Sequence, residues 1–100
     1  NRTTYCSTKF ALEGFTKSLA IELAPNGIRV NSICPTFIKT PMTEPFLKDK
    51  DFKNQVLSMI PLGRLGEVED LMGPFVFLAS EASSMMTGSS VLVDGGWTSR

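Results

Sequence analysis

The sequence predicts an α/β protein in which helices alternate with short strands, on three observations. An amphipathic stretch, a tight turn and an apolar run follow one another over the first 35 residues. A second helical stretch and a second apolar run come later in the chain, and no repeat, low-complexity tract or long flexible linker separates them. Helix, tight turn and strand in that order make half of a βαβ unit, the building block of parallel sheets.

From about Thr4 to Ala24, Leu12, Phe15, Leu19 and Leu23 recur at steps of three and four. That spacing predicts a helix with this row facing a sheet, stopped by Pro25, Asn26 and Gly27. On the same helical wheel, Phe10, Gly14 and Ile21 form a second apolar strip on nearly the opposite side. Gly27 opens "GIRVNSICP", whose Ile28, Val30 and Ile33 predict a strand ending at Pro35. Residues 36–61 carry prolines at 41, 45 and 61 and a mixed-charge patch from Lys48 to Lys53. Their Phe46, Leu47, Phe52, Val56 and Leu57 suit one or two short helices, and the composition reads as a mobile insertion. Glu67, Glu69 and Asp70 place negative charge at the start of a second helix, roughly Val68 to Ser80, where the macrodipole favours it. Pro74 falls inside that span, and an interior proline costs about 3 kcal/mol unless a kink absorbs it. "SSVLVDGG" then predicts a second strand closed by a Gly-Gly turn. Two strands cannot cover two amphipathic helices, so apolar surface is expected to remain.

Composition narrows the chemistry. With 42% apolar residues and ten Lys+Arg against ten Asp+Glu, the 100 residues suit one small domain. No excess charge draws it to nucleic acid or an anionic membrane. Apolar runs such as Phe75 to Ala79 are far shorter than a membrane span, and no stretch reads as a signal peptide, so a cytoplasmic protein is expected. Cys6 and Cys34 lack the spacing of a metal site or a disulfide framework, and no metal is expected. There is no histidine, so Ser-His and Cys-His catalysis are impossible within this chain. Proton transfer near neutral pH must then use a carboxylate, a lysine or a tyrosine.

Tyr5 and Lys9, in "YCSTK", supply such a pair. Four residues apart on a helix they share a face, and the ammonium can approach the phenol and favour its phenolate. An isolated pair of this kind would ordinarily be a half-exposed tyrosine beside a solvated lysine. Six further motifs surround this one: Gly27-Ile28-Arg29-Val30-Asn31, Pro35 with Thr40-Pro41-Met42, Pro61-Leu62-Gly63-Arg64, "FLAS" at 77–80, Thr87-Gly88, and Val93-Asp94-Gly95-Gly96. In this order and spacing the sequence resembles the C-terminal half of a short-chain dehydrogenase/reductase, across essentially the whole chain.

The resemblance implies a partial Rossmann-like, doubly wound parallel sheet with few strands. It also implies that residues 1–100 form the C-terminal part of such a domain, with a lid-like insertion at about 41–62. Tyr5 would be the acid/base that passes a proton to or from the substrate oxygen, and Lys9 would assist it and hold the nicotinamide ribose. Pro35, the Ile38 backbone and the Thr40 hydroxyl would meet the cofactor, NAD or NADP. Thr36 stands where the family most often has glycine, so either its backbone takes an ordinary conformation or the cofactor contact differs. Phe37, Met42, Phe46 and Met59 suit a pocket lining or, more commonly, a core.

The family's glycine-rich cofactor loop and its catalytic serine and asparagine precede the tyrosine, and they are not among these residues. The chain alone is therefore expected to hold an incomplete site and not to bind NAD(P) by itself. The parent activity implied is reversible interconversion of a secondary alcohol and a carbonyl of a small molecule, in a homo-oligomer. The alternative is a catalytically silent binding or assembly module on the same fold.

Overall fold

The computed structural model describes residues 2–99. Helix α1 spans Thr3–Leu23, strand β1 Ser32–Pro35, helices α2 and α3 Glu44–Leu47 and Lys50–Ser58, α4 Met72–Ala79, and β2 Ser90–Val93. The two strands form one sheet. Ser32 N–H donates to Ser89 O and Thr36 N–H to Val93 O, a constant offset that makes the pairing parallel. The expected α/β layer with a small parallel sheet is what the chain forms. It divides into two compact units, Asn1–Ile33 with Phe77–Val91 and Cys34–Val76 with Leu92–Arg100.

In the first unit α1 runs into a 3₁₀ turn, Ala24–Asn26, and stops at Gly27, whose φ of 72° is the left-handed conformation that ends many helices. The strand that follows starts later than the apolar run suggests. Arg29 donates to the carbonyls of Leu78 (2.7 Å), Met86 (3.1 Å) and Ser80 (3.2 Å), and Asn31 bonds Met86 O and Ser89 N–H. Thr87 Oγ1 accepts from Val30 N–H. Side-chain bonds thus dominate at residues 29–31, beside one backbone bond from Gly88 N–H to Val30 O (2.7 Å), and strand pairing begins only at Ser32.

The buried side of α1 also differs from the expected one. Thr16 and Ala20 are its buried positions, whereas Leu12 and Phe15 are 53% and 61% exposed. Two four-residue strands offer little apolar surface, and the stripe turned inward is polar or small: Glu13, Thr16 and Ala20. The second strip, with Phe10 and Ile21, is exposed as its wheel position implies.

The second unit holds the larger apolar cluster. Val56, Ile60 and Leu65 are buried, with Phe37, Leu47, Phe52, Leu57 and Trp97 packed around them. Phe37 meets Phe52 edge-on at 5.8 Å and Trp97 at 5.9 Å. Most of this cluster comes from the stretch whose composition reads as a mobile insertion. Asp49 caps α3 by accepting from Asp51 and Phe52 N–H, and Phe52, Val56 and Ile60 then fall on one side at steps of four.

Pro74 produces no broken interior hydrogen bond. The predicted long helix is a 3₁₀ segment, Val68–Leu71, followed by α4, and Pro74 is the third residue of α4. First-turn N–H groups have no intrahelical acceptor, so a proline there forfeits nothing.

Candidate active site

Tyr5 and Lys9 lie on the first turns of α1, where the unpaired N–H groups give a partial positive potential. The Lys9 ammonium stands over the Tyr5 ring, 5.5 Å from its centroid, a cation–π arrangement. Tyr5 is 60% exposed, so its hydroxyl is accessible from outside the chain. Thr8 Oγ1 donates back to Tyr5 O at 2.8 Å and does not contact the phenol. Cys6, between them in sequence, is a free exposed thiol.

Pro35, Thr36, Ile38 and Thr40 follow one another in the second unit, at and just after the end of β1. Pro35 is exposed, and Thr36 extends the ladder through its bond to Val93 O at 3.3 Å. No non-glycine residue among those described has positive φ, so Thr36 takes an ordinary backbone conformation. Ile38 forms an isolated parallel bridge with Gly66: Lys39 N–H donates to Gly66 O (2.8 Å) and Gly66 N–H to Phe37 O (3.0 Å). A Cβ at Gly66 would overlap Ile38 Cδ1, so any larger residue there would make the Ile38 side chain shift.

In a parallel bridge the central residue's own N–H and C=O point away from the partner strand. Ile38 O accepts from Thr43 Oγ1 at 2.6 Å, and Ile38 N–H makes no hydrogen bond with any described residue. Thr43 Oγ1 also accepts from Thr40 N–H (3.0 Å) and lies 3.2 Å from Thr40 Oγ1. Thr43 was not singled out by the sequence. Its signal is a threonine three residues after Thr40, the reach of a side chain closing a turn.

Charged groups fix the surroundings. Arg64 meets Asp70 through two parallel bonds of 2.7 and 2.8 Å, and Asp70 also accepts from Glu67 N–H at 2.8 Å. The Arg64 guanidinium, aided by that N–H, holds the Asp70 carboxyl well below the usual carboxylate range. Lys39 pairs with Glu67. The Asp94 carboxyl is lowered too, by the Thr98 hydroxyl first and then by the backbone N–H groups of Thr98 and Gly96. A cavity of about 500 Å³ opens among Thr36, Ile38, Ile60, Arg64, Gly66 and Asp94.

Met42 and Phe46 are 80% and 63% exposed and belong to no core, whereas Phe37 is a core residue. The structure brings Tyr5 to Lys9 and joins Ile38 to Thr40 through Thr43. Among the described residues no group of three or more Cys, Asp or Glu side chains is placed to hold a metal ion. No helix of the described residues is long and apolar enough to cross a membrane.

A family model described as enoyl-(acyl carrier protein) reductase matches residues 1–98. L-Xylulose reductase from Bos taurus is 48% identical over 97 residues, which are 97% of this chain and 40% of that protein. A short-chain type dehydrogenase/reductase from Mycobacterium marinum superimposes with a TM-score of 0.88 at 47% identity, covering 96% of this chain and 37% of that one. The gluconate 5-dehydrogenase from Burkholderia cenocepacia J2315, solved in complex with NADP and tartrate, gives a TM-score of 0.94 at 35% identity, covering 98% of this chain and 38% of that one. The chain thus spans about two fifths of the length of these relatives. A family match over nearly every residue, agreeing with the ordered motifs and the parallel α/β layer, leads to one conclusion: the chain belongs to the short-chain dehydrogenase/reductase family.

Proposed function

We propose that the chain is the acid/base-bearing, C-terminal part of an NAD(P)-dependent oxidoreductase that interconverts a secondary alcohol and a carbonyl. The observation that carries this reading is the Lys9 ammonium held against the Tyr5 ring, one helical turn away, on the positive end of α1. In reduction the Tyr5 hydroxyl donates its proton to the oxygen of the former carbonyl, and in oxidation the phenolate takes the alcohol proton. Lys9 sets a positive charge beside the Tyr5 ring and provides donors for ribose hydroxyls.

A nicotinamide cofactor, when bound, supplies or receives the hydride. The residues present fit it: the Ile38 N–H, which bonds to no described residue, is the kind of donor that a carboxamide oxygen requires. The Thr40 hydroxyl is suited to the amide or a phosphate, and Pro35 sets where the segment leaves β1.

Residues 41–62, with α2 and α3, act in this reading as the cover of the substrate, and Thr43 ties their root to Ile38. The relatives are named for a ketose and for a sugar acid, which favours a polyhydroxylated small molecule as substrate. The exposed strip with Phe10 and Ile21, interrupted by Gly14 with open space around it, suits packing against a second copy of α1. The test is Tyr5→Phe in the protein extended to the length of its relatives. Turnover should fall by about 10²–10⁴-fold with the fold intact by circular dichroism. A Phe variant that keeps most of its turnover removes Tyr5 from the mechanism.

A further inference from the structure

Glu13 is placed unlike a solvated helix carboxylate. Its Oε1 accepts from Ser32 Oγ at 2.9 Å, and its Oε2 accepts from Ser90 Oγ. Ser32 and Ser90 are the first residues of β1 and β2, adjacent across the sheet through the Ser32 N–H to Ser89 O bond. One carboxylate therefore fastens α1 to both strands where they begin. The polar attachment is set among small or polar neighbours on the helix, the buried Thr16 and Ala20.

The helical wheel gives this attachment its meaning. At 3.6 residues per turn, Tyr5, Lys9, Glu13, Thr16 and Ala20 fall within an arc of about 80°. Tyr5, Lys9 and Glu13 are spaced four apart, so the face that Glu13 fixes is the face that carries the pair. Leu12, Phe15, Leu19 and Leu23 are centred roughly 75° round from it. Two of those four, Leu12 and Phe15, are exposed, so apolar burial alone does not fix the rotation of α1. Directional bonds do: a carboxylate bridging two hydroxyls allows one rotation and one axial setting, whereas an apolar contact tolerates many.

We propose that Glu13 is a positioning residue, which by bridging the Ser32 and Ser90 hydroxyls sets the rotation and height of α1 and hence where Tyr5 and Lys9 stand. The proposal rests on the acid/base reading of that pair. Proton transfer requires heavy atoms about 2.6–3.2 Å apart, and a displacement near 1 Å costs up to about 10²-fold in rate. Glu13 lies roughly 12 Å along the helix from Tyr5, at 1.5 Å per residue, so it touches neither substrate nor cofactor and acts only through α1.

The experiment uses the protein extended to the length of its relatives, with NADP(H) and a polyol substrate, and reads kcat and KM for each variant. Glu13→Ala should lower kcat by about ten- to a hundredfold with the cofactor KM changed less than threefold, and Glu13→Gln, which keeps hydrogen-bonding capacity toward both serines, should recover most of that turnover. Ser32→Ala with Ser90→Ala removes the same two bonds from the strand side and should reproduce the loss, which keeps the proposal testable if Glu13→Ala does not fold. In a Tyr5→Phe background, Glu13→Ala should cause no further fall in kcat. Unchanged kcat in Glu13→Ala or in the double serine variant, or a full additional loss on top of Tyr5→Phe, overturns the positioning role. If Tyr5→Phe itself is harmless, the acid/base reading fails instead, and the two failures are told apart.

Discussion

Leu65→Ala is the sharpest test of where the chain keeps its stability. Leu65 is 4% exposed and packs with Val56 and Ile60, while Leu92, in β2, is 60% exposed. Truncating either leucine removes the same atoms, about three methylene equivalents, so the chemistry is identical and only burial differs. At about 0.8 kcal/mol per buried methylene the transfer loss at Leu65 is roughly 2.4 kcal/mol. The residual cavity raises it to about 3 kcal/mol, within the 2–5 kcal/mol usual for buried leucines. At Leu92 most of the side chain is already wet, and the expected change is below about 1 kcal/mol. Total stability for a chain of this size is of order 5–15 kcal/mol, so the first variant loses a large share and the second almost none.

The single tryptophan gives the assay its signal. Trp97 packs against Phe37 in the same cluster, so urea unfolding followed by its fluorescence reports on this unit. The slope with denaturant should stay constant while the midpoint of Leu65→Ala falls. Equal midpoints for Leu65→Ala and Leu92→Ala would refute the reasoning, and would mean that residues 36–61 are the mobile insertion their composition suggests.

Two further outcomes are expected. Asp70 has a folded-state pKa depressed by Arg64, so its contribution is present above the unfolded carboxylate value near 4 and is lost as pH falls below it. Thermal scans from pH 6 to 3 should therefore show a smaller acid-induced drop in Asp70→Asn than in the parent, and identical drops would remove Asp70 as a source of acid sensitivity. The exposed Phe10 and Ile21 strip predicts a dimer or larger species at tens of micromolar, shifted toward monomer by Phe10→Glu. Sedimentation decides it, and a monodisperse monomer of the parent at that concentration would contradict the reading.

Much of the element order was legible because local signals are strong where they coincide. The repeat through Leu23, the Pro25-Asn26-Gly27 stop and the glycines after Val93 each act within a few residues, and each sits where expected. The inward face of α1 was not legible. Periodicity assumes that apolar residues turn inward, but here the Ser32 and Ser90 hydroxyls donate to Glu13 on the inward side, and such bonds depend on residues 19 and 77 positions away. The late start of β1 has the same origin, since Arg29 and Asn31 reach carbonyls about 50 residues distant. The short helices that Phe46, Leu47, Phe52, Val56 and Leu57 suit are α2 and α3, but the charge around Lys48 to Lys53 concealed that this segment supplies core residues. At the site, the approach of Lys9 to Tyr5 follows from their helical spacing and the role expected of them only from the ordered motifs around them, whereas Gly66 opposite Ile38 is a long-range pairing that no local pattern announces.

The Thr43 hydroxyl bears on how such proteins are recombined. It takes a bond from Thr40 N–H and gives one to Ile38 O, so the root of α2 and the segment after β1 share one atom. A chimera that imports a relative's segment beginning at residue 41 would replace this hydroxyl with whatever the donor carries there, and a donor without a hydroxyl would loosen Ile38 in the process. Joining the donor after Thr43 leaves the shared atom with the recipient. Splice points placed there should yield interchangeable segments after a constant loop, and those placed three residues earlier should not.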